Sequence, residues 1–145
     1  MIEYREGDEV SARERTHAIG RIDVAGYDPR TYEEVEVGAN LVEIHVTETF
    51  TGDIAGTGVA RFLQAMRKDG SASFAGIERV TGTIAGRAGS FLLQDAGTVE
   101  GNVVKGVWFV VPQSGTGELA GLRGEGGFEA QLGEQASITL DYWFE

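Results

Sequence analysis

Arg61, Glu78 and Asp95 are the residues best suited to chemistry in this chain, one in each of three successive β-rich runs, GVARFLQAM, SASFAGIERVTG and GSFLLQDAGT. Two carboxylates that contend for one guanidinium in an apolar setting do not ionise alike, because repulsion and desolvation raise the pKa of one of them. A protonated acid beside an ionised base is the arrangement proton transfer requires, with Glu78 or Asp95 as base, the other as acid and Arg61 as electrostatic partner. The same trio also reads as a structural ion-pair network, since buried charge survives when it is paired. Other chemistry finds less support. Cysteine is absent, so disulfides and thiolate nucleophiles are excluded. His17 and His45 are the only histidines, and the neighbouring Glu43 and Glu48 do not readily complete a ligand set, so neither a metal nor any other cofactor is expected. The serines lack a G-x-S-x-G setting.

The positions of the three residues follow from the turns that flank them. If Gly52-Asp53, Asp69-Gly70, Gly86-Arg87 and Gly101-Asn102 are central pairs of two-residue hairpins, counting outward fixes the pairing of five strands. Ile44 then faces Arg61, Arg61 faces Glu78, Glu78 faces Asp95, and Asp95 faces Trp108. This belt shares an otherwise apolar face with Val42, Val46, Val59, Leu63, Ala65, Phe74, Val80, Phe91, Leu93, Val104 and Val110, the expected interior. The opposite face mixes His45, Gln64, Arg79, Gln94 and Lys105 with Phe62, Ile77, Leu92, Val107 and Phe109. That face is too apolar to be wholly wet, and part of it is expected to pack against another copy of the chain or against the chain's own loops. A Gly133-Glu134 turn would set Tyr142 opposite Glu125, a second and lower-ranked candidate site.

About eight short β-rich runs between 16 and 145, spaced by glycine turns, favour an all-β fold, a closed antiparallel barrel with little or no helix; GELAGL alone could make a helical turn. Glycine numbers 22 with no G-X-Y period, against an ordinary share of about 7%. One domain over 16–145 suffices for 145 residues, with a charged N-terminal arm over 1–15. The segment YDPRTYEEVEVGAN reads as a loop over one end of the sheet. The hexapeptide T-G-x-[I/L]-A-G recurs as TGDIAG, TGTIAG and TGELAG. The third copy, with Gly115, Gly117 and Ala120, satisfies G-x-G-x-x-A, but no helix can follow in LRGEGGF, so the copies read as turns rather than phosphate cradles.

A net charge of -11 would repel phosphodiester backbones and anionic lipid headgroups, which argues against nucleic-acid and membrane partners. No stretch of about 18 apolar residues occurs, and a soluble, cytoplasmic protein is expected. The runs FTGDIAGTG, DGSASFAGIERVTGTIAGRAGSFLLQDAGT and VVPQSGTGELAGLRGEGGFEA with the closing TLDYWFE resemble a bacterial family of uncharacterised proteins that share the allene-oxide-cyclase-like β-barrel. The resemblance covers about residues 20 to 145 and implies a closed barrel and a tendency to oligomerise. It implies no activity. The family pattern often has a histidine where this chain has Asp95 and a tryptophan where it has Tyr27, so no family role is carried onto Asp95.

Three functional expectations follow. The first is a small-molecule-binding barrel for an apolar or aromatic ligand, lined by Ile44, Leu63, Phe74, Leu93 and Trp108. The second is an isomerase, cyclase or lyase that uses the buried carboxylates. The third is a purely structural or interaction module. A homo-oligomer, dimer or trimer, is expected in each case.

Overall fold

The computed structural model describes residues 14–145. Eight antiparallel strands run up and down and close into a barrel: β1 (Thr16–Glu33), β2 (Asn40–Gly52), β3 (Ile54–Met66), β4 (Ala72–Ile84), β5 (Arg87–Glu100), β6 (Val103–Val110), β7 (Leu122–Gln131) and β8 (Ala136–Phe144). Closure comes from β8 pairing with the first half of β1, from Thr16 beside Tyr142 to Ile22 beside Ala136. GELAGL supplies the single 3-10 turn, Gly117–Leu119. The arm expected over 1–15 lies outside the described residues except for Glu14 and Arg15. The loop expected at YDPRTYEEVEVGAN is instead mostly strand, since β1 continues through Pro29 to Glu33. Past Ile22 this strand is an edge bonded to β2 alone, where proline is tolerated.

The turns decide the register. Gly101-Asn102 is a two-residue turn with both residues at positive φ, and it sets Asp95 beside Trp108 as expected. Between β4 and β5 the central pair is Ala85-Gly86, at φ 49° and 83°, not Gly86-Arg87. Glu78 therefore lies beside Leu93, and Asp95 beside Gly76. The expected pairing would have placed two carboxylates directly opposite each other, a destabilising arrangement that the observed register avoids.

Asp69-Gly70 is not a two-residue turn. Gly70 donates its N–H to the Arg67 carbonyl and Arg67 donates to Ser71, so the loop holds three residues with Gly70 at φ 88°. The corner at Gly52-Asp53 is also wider than two residues, with Phe50 beside Gly56. Asp53 fastens it to β1, accepting the Ile19 N–H on Oδ2 at 2.9 Å and donating its own N–H to the Ile19 carbonyl. Each of these turns moves β3 by one residue, and with a side-chain period of two the whole strand turns over. Ala60, Phe62 and Gln64 face inward, while Val59, Arg61, Leu63 and Ala65 face outward, contrary to expectation. The two slips cancel for β4, which keeps its expected faces.

The three hexapeptide copies sit at one end of the barrel. Gly56 pairs with Gly82, and Thr116 of the third copy is tied to Ser90 of β5 through its N–H and its hydroxyl. Their shared apolar position, Ile54, Ile84 and Leu119, is buried in one cluster with Phe50, Phe91 and Leu122. The repeat thus turns the chain and plugs this end. A smaller cluster of Val42, Ile44, Val46 and Ala60, with Phe62 against it, lies on β2 and β3.

Candidate functional site

Strand pairing stacks the inward side chains in rings. From the plugged end, one ring contains Glu48, Gly58, Val80 and Phe91, and the next contains Val46, Ala60, Glu78, Leu93 and Val110. A third holds Ile44, Phe62, Gly76, Asp95, Trp108 and Gly126. The fourth, nearest the far end, includes Phe74 and Phe128, both only half-buried. Glu78 and Asp95 thus sit one ring apart beneath aromatic side chains that solvent reaches.

Glu78 is 1% exposed and Asp95 3%. Among the described residues no donor reaches either carboxyl oxygen of Glu78 or Oδ1 of Asp95. Burial above all, then a side-chain hydrogen bond shared with the Glu48 carboxyl, the charge of Glu48 and that of Asp95, pushes Glu78 up to about 11. Burial, then Glu48, pushes Asp95 up to about 8. At neutral pH Glu78 is therefore a neutral carboxylic acid, and Asp95 is mostly so. Each has one O–H to donate.

Glycines shape the space around them. A Cβ at Gly58 would run into the Glu78 carboxyl, and one at Gly76 would lie 2.7 Å from Phe62 Cδ1. An aromatic chain runs through the same rings: Phe62 meets Phe74 edge-on at 5.4 Å, and Phe128 lies 6.2 Å from Phe74 and 5.1 Å from Trp108. The Trp108 indole N–H is already committed to the Thr139 carbonyl at 2.9 Å.

Of the residues singled out in the sequence, Glu78, Asp95, Trp108, Ile44, Phe74, Leu93 and Tyr142 point inward. Arg61, Leu63 and Glu125 do not. Arg61 and Leu63 turned over with β3, so the guanidinium cannot balance the buried acids, and the expected Arg/Glu/Asp belt does not form. Tyr142 pairs with Gly124, and Glu125 with Asp141, because the β7–β8 turn is also one residue longer than expected. Glu125 faces outward and bonds Arg15 at 2.6 Å, so the second candidate pair is split across the wall. Glu48, named in the sequence only as a poor metal-ligand neighbour of His45, lies inside by its alternation with Val46 and Phe50. The outer histidine bonds Glu43 at 2.6 Å. No three acidic or histidine side chains among the described residues are grouped to hold a metal.

A family model described as a protein of unknown function, DUF3224, matches residues 18–142, which is nearly the whole barrel. The chain belongs to the DUF3224 family. A solved DUF3224 protein of unknown function from Shewanella oneidensis MR-1 is 34% identical, with a TM-score of 0.77 over 91% of this chain and 99% of that one. No curated protein matches. For the DUF3224 chain described here, the fold is a closed eight-stranded antiparallel barrel. None of its described helices is long and apolar enough to cross a membrane.

Proposed function

We propose that the barrel binds a small, largely apolar or aromatic molecule through an oxygen acceptor, which takes hydrogen bonds from the protonated carboxyls of Glu78 and Asp95. The observation that carries this reading is the set of three buried carboxyl oxygens that no donor of the chain reaches, with Glu48 alone beside Glu78 as a partner. Unpaired buried polar atoms are costly, and a bound carbonyl, ether or hydroxyl oxygen would satisfy them. Entry is assigned to the far end, where Phe74 and Phe128 are half-buried; the hexapeptide plug closes the other. Aromatic walls with a few convergent polar groups suit such a ligand.

The test is a panel of neutral apolar carbonyl compounds, read by melting temperature and by quenching of tryptophan fluorescence. A hit should bind Glu78→Gln, which still donates, within a few fold of wild type, and bind Glu78→Leu at least ~5-fold more weakly, since a hydrogen bond to a polar site is worth about 1 kcal/mol or more. Affinity should fall as pH rises past about 8, where Asp95 ionises. A panel with no shift, or equal binding by Glu78→Leu, defeats the proposal.

A second reading rests on the separation of the two acids, about 11 against about 8. Such a separation suits a proton-transfer isomerase or cyclase with Asp95 as base and Glu78 as hydrogen-bonding acid. Arg61 has no part in it. Asp95→Asn would then abolish turnover of a bound compound while leaving its affinity within a few fold, and loss of binding together with turnover would reject this reading.

A further inference from the structure

A groove of about 1020 Å³ crosses the wall of the barrel; outward-facing residues of β3 to β7 line it together with Glu43 of β2, Asp141 of β8 and third-ring residues that include Asp95 and Trp108. Val107 at 66% exposure and Leu63 at 56% stand in the open along it, with Ile77 and Phe109 beside them.

The order of residues across the groove is the informative feature. One row, read strand to strand from β3 to β7, is Arg61, Ile77, Gln94, Phe109, Glu125. The adjacent row is Leu63, Ala75, Ala96, Val107, Gly127. Both rows are complementary to their own reversal about β5. In the first, a cation at one end answers an anion at the other, with apolar residues between them and an amide at the centre. In the second, large answers small: Leu63 matches Gly127, and Val107 matches Ala75.

We infer that this groove is the interface of a two-fold dimer of the chain, with the symmetry axis lying between the two copies and along β5. An axis in that plane sets each residue against the one equally far on the other side of β5, as an isologous contact requires. Arg61 of one copy then meets Glu125 of the other, which also accepts from Arg15 of its own chain, Ile77 meets Phe109, and the two Gln94 amides pair on the axis. Arg61 has no carboxylate within salt-bridge distance among the described residues. A larger ring is not favoured by these rows, since self-complementarity belongs to a two-fold contact rather than a head-to-tail one.

Charge swapping tests the pairing directly. Light scattering and sedimentation at micromolar concentration should give twice the chain mass for the wild type. Arg61→Glu and Glu125→Arg should each weaken the dimer at least ~10-fold, since each places like charges at two symmetric contacts. The double variant carrying both changes should dimerise again. An equimolar mixture of the two single variants should also form a heterodimer, because both of its contacts would then be oppositely charged. Since each single variant is tested alone and in the mixture, misfolding cannot imitate the pattern. A monomeric or trimeric wild type, single variants that dimerise normally, or a mixture that stays monomeric overturns the inference.

Discussion

The inner and outer walls of the same strands hold their acids in opposite ways. Inside, Glu78 and Asp95 lie among apolar side chains with unpartnered oxygens, and burial drives both toward the neutral form. Outside, the hydrogen bond from His45 holds the Glu43 carboxyl below its ordinary range, with the charges of His45, Arg61 and Arg30 adding to it against some desolvation. One residue of register separates the two environments. A carboxyl on the inner wall is a hydrogen-bond donor awaiting an acceptor, whereas on the outer wall it is a charge available for pairing. The two proposals rest on this division, since the interior reading needs neutral acids and the groove reading needs charged ones.

The largest expected effect comes from pH. Glu78 is raised from 4.5 to about 11 and Asp95 from 3.8 to about 8, so the folded chain keeps protons that the unfolded chain releases. Their contribution to stability is full below the unfolded values, near pH 4, and is lost as pH rises, through about 8 for Asp95 and about 11 for Glu78. Between pH 5 and 8 each acid lowers stability by up to about 1.4 kcal/mol per pH unit. Glu78→Gln removes one of the two slopes and should exceed wild type by roughly 5 kcal/mol at pH 8 while matching it near pH 4. Glu43 acts with the opposite sign, favouring the fold above its unfolded value and losing that contribution as pH falls. Urea melts at several pH values decide the matter, and a wild type that gains stability between pH 5 and 8 would contradict the assignment of both acids to the interior.

Packing gives the next contrast. A methyl group at Gly76 would meet the Arg61 carbonyl and lie 2.7 Å from Phe62 Cδ1, in the ring that holds Asp95. Gly76→Ala should cost about 2 kcal/mol, as a side chain forced against neighbouring backbone and ring atoms does. Its neighbour Ala75 faces the outer groove, and Ala75→Ser should stay within about 0.5 kcal/mol in the monomer. Equal costs at the two positions would erase the distinction between the walls, and denaturant midpoints of the two variants would show it.

The sequence made the barrel legible because alternation along β2, β4, β5 and β6 and the density of glycine turns agree on closed antiparallel pairing. Val42, Val46, Phe74, Val80, Phe91, Leu93 and Val110 face inward as their alternation indicates. Four of the five belt residues were legible too, since Ile44, Glu78, Asp95 and Trp108 do share the interior. What failed was turn length. An Asp-Gly pair serves a two-residue turn and a three-residue loop alike, and only the carbonyl that receives the Gly70 N–H tells them apart. Together with the wide corner at Gly52-Asp53, that extra residue set Arg61 and Leu63 on the outside. The β7–β8 loop repeated the error and separated Tyr142 from Glu125. Glu48 could have been found from alternation alone, since its parity with Val46 and Phe50 places it inside.

The smallest effect tests the turn that sets the two acids diagonally instead of face to face. Ala85 holds φ at 49°, in the left-handed region where a Cβ is disfavoured, and Gly86 follows at 83°. Left-handed backbone costs an L-residue about 1–2 kcal/mol, while asparagine relieves part of this through local hydrogen bonding. The Asn-Gly pair is also the preferred occupant of a two-residue turn with both residues at positive φ. Ala85→Asn should therefore stabilise the barrel by about 0.5–1 kcal/mol, a rise in melting temperature of about 2–4 °C. Because the turn is unchanged, Glu78 stays beside Leu93 and the slope of stability with pH should match wild type. Were Gly86-Arg87 the true central pair, residue 85 would lie in extended strand, where asparagine is depleted, and the same substitution would lower stability. The sign of this shift thus reports the register on which the placement of both interior acids depends.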